Sequence, residues 1–285
     1  MRPEIVLDIK CKVGEGPLWH PLEKKLYWLD IPEGIIYRYD PETGMVEEVY
    51  RGDIIGGCTI QEDGSLLLFM EKGAVKLWKD NKLITLIAEF PALEGTRFND
   101  VIADPAGRVF CGTMPDEGGE AYLYRLDTDG SLTLIFDGAG LSNGMGFTPD
   151  KKQMYYTDSK KGEIYIFDFN VEDGSLSNRR LFLKVEGEGI EPDGLTVDAE
   201  GYVWSARWNG SCIKRFAPDG KEVLEVIFPA RKITCMTFAG VDYKDIYITS
   251  ATEDKISEEE TGAGALFRLN IGIQGLPEHL SRICF

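Results

Sequence analysis

Six stretches of the chain repeat one plan, and that repetition limits the fold more than any other feature. One series of strand-like segments runs 25–30, 65–70, 108–113, 153–158, 202–207 and 245–250. A second series follows each of these at 35–40, 74–79, 122–127, 163–168, 212–217 and 265–270. Most members are rich in β-branched and aromatic residues, which suit a pleated, buried surface. Turn formers separate them: Asp40-Pro41-Glu42-Thr43-Gly44, Asp63-Gly64, Asp129-Gly130, Asp173-Gly174 and Asp219-Gly220. The period is about forty to fifty residues, the size of a four-stranded propeller blade. The expected fold is all-β: a single domain over residues 1–285, built as a six-bladed β-propeller. A two-sheet sandwich gives no reason for six matched units. Segments 4–10 and 280–285 also read as strands, so one blade is expected to be closed by strands from both termini, which removes a free sheet edge.

The repeats carry a common phase. Counting back six residues from Pro21, Pro105, Pro149 and Ala199, at the turns opening the second strands, gives Glu15, Asn99, Asn143 and Asp193. The other two repeats give Gly56 and Cys235. Around an axis these positions converge, and oxygen-bearing side chains meeting at one point suit a divalent cation. Each segment alone is weak, because Asn-Gly and Asp-Gly are ordinary turn formers and Glu15 alone would be a surface acid. The shared register raises their significance. Strand alternation points neighbours to opposite faces, which favours Asn99 at the axis and leaves Asp100 behind it as a support.

Composition narrows the partners. The formal net charge of −17 argues against nucleic acid, anionic membranes and anionic substrates. A small neutral substrate fits better, and the charge also favours solubility as a monomer or weak dimer. The opening Met1-Arg2-Pro3-Glu4 lacks the pattern of a secretory signal, and no run is apolar enough to span a membrane. The six cysteines are scattered without a Cys-x-x-Cys pair, which reads as a reduced, cytoplasmic protein without disulfides. A Cys11–Cys284 bridge would need the terminal strands to be neighbours. The only histidines are His20 and His279, which excludes a multi-histidine zinc centre and disfavours a serine triad. His20, beside the first turn, reads as a surface or packing residue. Carboxylates, carboxamides and Arg97 remain to carry any chemistry.

Several short motifs occur in a recognisable order: Gly14-Glu15-Gly16-Pro17-Leu18-Trp19, Arg97-Phe98-Asn99-Asp100, Gly112-Thr113-Met114, Ser142-Asn143-Gly144, Pro192-Asp193-Gly194 and Asp198-Ala199-Glu200-Gly201-Tyr202-Val203-Trp204. Together they resemble the SMP-30/gluconolactonase/LRE family, from Glu15 to about Phe267. The resemblance implies a six-bladed propeller with one divalent cation in its channel (calcium, zinc, magnesium or manganese) and hydrolysis of a neutral sugar lactone to the aldonic acid. It makes Glu15, Asn143 and Asp193 the metal ligands and Arg97 and Asn99 substrate contacts. A further substrate-binding glutamate falls at Glu117, with Glu120 close by. Asp193 is the catalytic residue, either as general base or, since ligation lowers its basicity, by orienting the attacking hydroxide. Arg97 would hold the substrate and support developing charge.

Two rival functions share these residues. One is a phosphotriesterase-like hydrolase using similar metal chemistry. The other is a non-catalytic calcium-binding regulator, although one axial site lacks an evident bistable element to switch. The polar segment 252–264 interrupts the sixth repeat and is expected on the surface, overhanging the channel mouth as a mobile lid or rim with Gly262 and Gly264 as flexible points.

Overall fold

In the computed structural model, which describes residues 2–115, 119–252 and 261–284, six four-stranded antiparallel sheets form the blades. In blades 1 to 5 the strands follow in chain order. Blade 1, for example, is Gly14–His20, Lys25–Asp30, Ile35–Asp40 and Met45–Arg51. The first strands pack side by side around the axis: Gly14–His20, Ile55–Ile60, Thr96–Ala103, Ser142–Phe147, Glu191–Val197 and Ile233–Ala239. No helix among the described residues is long and apolar enough to cross a membrane.

The second strands explain the apolar runs. Along Lys25–Asp30, Tyr27 and Leu29 pack toward blade 2 with Ile55, Ile60 and Leu66. Leu26 and Trp28 turn the other way, onto Ala239, Tyr247 and Leu266 of blade 6. Both faces are therefore covered, and each such side chain contributes about 1.5–3 kcal/mol by burial. The fourth strands are polar and largely exposed, as in Met45–Arg51. For that reason the repeat is clear in the second and third strands and faint in the fourth.

Ring closure is as expected for the N-terminus and different for the C-terminus. Glu4–Leu7 forms the outer strand of blade 6, paired with Leu266–Asn270, so this blade holds strands from both ends of the chain. Of segment 280–285, the described residues 280–284 do not join that blade. Residues 271–284 instead form an extended strap across the far face. Gly275 bridges Asp198, Ser281 bridges Gln61, and the amides of Arg282 and Cys284 donate to Gly107 O and Thr128 O. Cys11 is buried against Gly264 near blade 6 while Cys284 is exposed beside blade 3, and both thiols are free. His20 is a packing residue: Nδ1 accepts from the Glu23 amide at 3.2 Å, so Nε2–H donates to Gly64 O of blade 2 at 2.9 Å.

Most of segment 252–264 lies outside the described residues. Its described ends sit on the channel-mouth side, where Ala251 bridges Val13 and the Thr252 amide donates to Cys11 O and Lys12 O. Gly262 and Gly264 are not flexible points. Both are buried with positive φ (75° and 71°), and the Cys11 amide donates to Gly264 O at 2.9 Å. A Cβ on Gly264 would collide with the Cys11 backbone, so the left-handed turn and close packing both require glycine there.

Removing residues 1–7 should uncover the edge of Leu266–Asn270. The truncated protein is expected to melt at lower temperature and to self-associate with rising concentration, measured by thermal denaturation and light scattering.

Candidate active site

The axial residues owe their position to a repeated irregularity. Every first strand slips register against its second strand at the same place: between Glu15 and Leu18, Ile55 and Gly57, Phe98 and Val101, Ser142 and Met145, Pro192 and Leu195, and Ile233 and Met236. The phased positions fall within these β-bulges or at their edges. A bulge inserts an extra residue and re-aims its side chain. Gly16 follows Glu15 with φ of 53°, and Pro192, which cannot donate to a ladder, is accommodated in the bulge beside Asp193.

Glu15, Asn143 and Asp193 share one local geometry. The next residue is glycine each time, and its amide donates back to the side chain: Gly16 N to Glu15 Oε2 at 2.8 Å, Gly144 N to Asn143 Oδ1 at 3.0 Å, and Gly194 N to Asp193. The Asn143 amide group also bonds Asp193. Two aspartates hold the chain just ahead of two of these positions. Asp30 accepts from the amides of Lys12 and Val13 at 3.0 and 3.1 Å. Asp158, at the matching place in blade 4, accepts from Gly140 and Leu141 at 3.1 and 3.3 Å. Each fixes the backbone two residues before Glu15 or Asn143. Both end a second strand, so the repeat alignment contained the signal for them.

Glu15, Arg97, Asn99, Asn143 and Asp193 line one cavity of about 210 Å³ at the channel mouth, walled by Ile31, Met114, Leu141 and Trp208. Arg97 and Asn99 form a unit. Arg97 Nη1 donates to Asn99 Oδ1 at 2.7 Å and to Phe98 O at 2.9 Å, while Asn99 Nδ2 donates to Ser142 O at 2.9 Å. Glu117 lies outside the described residues, and Glu120 is exposed and is not among the residues lining this cavity. The sixth repeat contributes Cys235. Gly56 leaves room for blade 3, since a Cβ there would strike Phe98 O.

Asp100 is not behind the axis, as strand alternation predicts. The bulge between Phe98 and Val101 breaks the alternation, so Asp100 and Asn99 both face the channel. Asp100 lines an adjoining cavity with Gly16, Gly57, Cys235 and Glu278, the last carried there by the far-face strap. Burial raises the Asp100 pKa to about 7, against the nearby Arg97 cation. Burial also pushes Glu15 and Asp193 well above the carboxylate range, and Asp100 adds to both shifts by like-charge repulsion, as do Asp193 for Glu15 and Glu191 for Asp193. The Cys235 thiol is raised by burial and by the same three acids.

This cluster has the chemistry of a cation site. Glu15 and Asp193 are desolvated carboxylates, and Asn143 adds a neutral hard oxygen. Among the described residues no three His, Cys, Asp or Glu side chains form a ready-made metal group, so the carboxamide is needed as third donor.

The architecture and site together define a six-bladed propeller whose axial acids line one cavity. Residues 13–252 match the family model of the SMP-30/Gluconolactonase/LRE-like region, and the chain belongs to that family. It is 45% identical to the pentonolactonase XacC of Haloferax volcanii, over 98% of this chain and 97% of the relative. It is 35% identical to regucalcin of Danio rerio, over 98% of each. The crystal structure of regucalcin from Agrobacterium tumefaciens, described as a calcium-binding protein, has the same fold, with a TM-score of 0.92, 24% identity, and coverage of 99% of this chain and 97% of that one.

The pKa shifts set a pH dependence. An acid whose folded pKa lies above its unfolded value of about 3.9 to 4.3 keeps a proton that the unfolded chain has released. Stability from that group therefore falls as pH rises above about 4, until the folded group ionises. Chelator-treated protein should melt at lower temperature at pH 8 than at pH 5. Asp193→Asn should reduce that difference, by about 1.4 kcal/mol for each pKa unit removed. The check is thermal denaturation across this range at constant ionic strength.

Proposed function

We propose that this lactonase hydrolyses a neutral sugar lactone to its aldonic acid with the help of one divalent cation held by Glu15, Asn143 and Asp193. The observation that carries the reading is the group of desolvated carboxylates at one cavity with Arg97 and Asn99. The pentonolactonase relative at 45% identity supports the substrate class. Oxygen donors suit calcium, magnesium and manganese, and zinc also accepts such sites. When bound, the cation would act as a Lewis acid and acidify water in its shell.

The chain's own residues account for the remaining needs of the reaction. Arg97 and Asn99, already tied together, present donors at the cavity wall to hold the lactone's hydroxyl and ring oxygens. Glu117 adds a substrate contact in this reading. Asp193 receives the proton of the attacking water, or orients that water if ligation leaves it too weak a base. The water oxygen bonds to the carbonyl carbon, the ring C–O bond breaks, and the ring oxygen takes a proton to become the hydroxyl of the open-chain acid. The channel mouth is walled by apolar side chains, which strengthens the electrostatic contacts inside it.

Two substitutions test the roles. Asp193→Ala should abolish hydrolysis of pentono- and hexonolactones and weaken cation binding with the fold retained. Near-normal turnover, with metal content and circular dichroism checked, would remove Asp193 from the mechanism. Arg97→Ala should lower kcat/KM by about tenfold to a hundredfold while bound metal stays the same, as expected for lost charged hydrogen bonds. Steady-state kinetics after metal removal and single-metal replacement would read both, and unaltered kinetics would return Arg97 to a packing role.

A further inference from the structure

Three arginines are almost wholly buried: Arg108, Arg207 and Arg215. Two have acids. Arg108 Nε donates to Asp104 at 2.6 Å. Arg215 donates from Nε to Asp198 at 2.8 Å and from Nη2 to Glu200 at 2.5 Å. Arg207 is different. Its hydrogen bonds within the described residues both use Nη1, to Ser205 Oγ at 2.5 Å and Ala206 O at 3.0 Å. The Phe216 ring lies 5.5 Å from the guanidinium carbon. Burial lowers the Arg207 pKa to about 10, and Cys212, Glu222 and Glu225 offset this only in part, since neither glutamate makes an ion pair with the guanidinium. A buried charge without an anion costs several kcal/mol, so folded proteins ordinarily pair it.

Arg207 is the penultimate residue of the second strand of blade 5, Val203–Trp208, and borders blade 4. It lines a cleft of about 340 Å³ with Val185, Ile190, Cys212, Lys214 and Phe216. Three acids line the same cleft, and none forms an ion pair with Arg207. Glu222 and Glu225 each lie 3.0 Å from Lys214, and Glu186 is exposed. Because Nη1 is occupied, the Nε–Nη2 edge of the guanidinium remains, and that edge presents two parallel N–H donors. Such a fork matches two oxygens of a carboxylate or phosphate.

We propose that this interblade cleft is a binding site for a small oxyanion, a carboxylate or phosphate group seated on the Nε–Nη2 edge of Arg207. Ile190, Val185 and Phe216 form an apolar side of the cleft, which strengthens a charge pair at Arg207, while Lys184, Lys214, Glu222 and Glu225 make the other side charged. The overall charge of −17 selects against large or highly charged anions, so the ligand is small. The site is separate from the axial cavity, since the two share no lining residue.

The test is thermal denaturation against inorganic phosphate and against gluconate, with ionic strength held constant by chloride. Wild-type protein should show a saturable rise in Tm with at least one of them. A rise with gluconate alone assigns the site to carboxylates, and one with phosphate alone to phosphates. Arg207→Leu should bind the effective anion roughly tenfold to a hundredfold more weakly, the loss expected for charge-assisted hydrogen bonds. Arg207→Lys, which keeps the charge without the fork, should also bind more weakly. The rise should persist in Asp193→Asn, which separates it from binding at the axial site. Absence of an anion-specific rise in wild type would overturn the proposal, as would equal affinity in Arg207→Leu. If that variant does not fold, unchanged affinity in Arg207→Lys serves the same purpose.

Discussion

The β-bulge in each first strand is the constraint on which the site depends. A regular strand sends alternate side chains to opposite faces, and six regular strands would line the channel with one residue in two. The bulges add a residue at one level in all six blades. At that level Glu15, Asn143 and Asp193 each turn inward and accept a bond from the following glycine amide. The first strands also approach closely there. A Cβ at Gly144 would strike the backbone of Gly194 and Leu195, so glycine at this position keeps neighbouring blades near enough for their side chains to meet.

The bulges concentrate negative charge where water is scarce. Glu15, Asp100 and Asp193 influence one another's ionisation, and Arg97 is the cation acting against the shifts of Glu15 and Asp100. Such a cluster works against folding at neutral pH unless a cation or protons neutralise it. The rest of the fold offsets that cost through blades buried on both faces. Aspartates at the ends of second strands lock the backbone ahead of Glu15 and Asn143. The candidate site thus sits in a locally unfavourable spot held by a favourable frame.

The two ends of the channel are built differently. The mouth is framed by loops between second and third strands, which supply Ile31 and Ser159 to the cavity, and by Trp208 at the end of a second strand. At the far end the strap of residues 271–284 brings Glu278 and His279 to cavities lined by first-strand residues. Burial lifts the Glu278 pKa to about 7 and depresses that of His279.

Period and phase are local properties, and they were legible in the sequence. The second strands are buried on both faces, so their apolar runs stand out, and segments 25–30, 153–158 and 245–250 coincide with strands. The register of Glu15, Asn99, Asn143 and Asp193 could be counted from the turns, and all four line one cavity. The family motifs added a division between ligand and substrate contact that spacing could not supply. Tertiary structure decided what depends on distant partners or on broken regularity. Asp100 faces the channel because a bulge cancels the alternation from which its direction was inferred. Segment 280–285 has strand-like composition, yet its described residues 280–284 belong to a strap, because Glu4–Leu7 already fills the edge of blade 6. Gly262 and Gly264 look flexible in sequence but are fixed by packing against Phe267 and Cys11. That Arg207 makes no ion pair, although Glu222 and Glu225 line its cleft, is visible only in the folded blades, since no sequence interval records which charges a fold leaves unpaired.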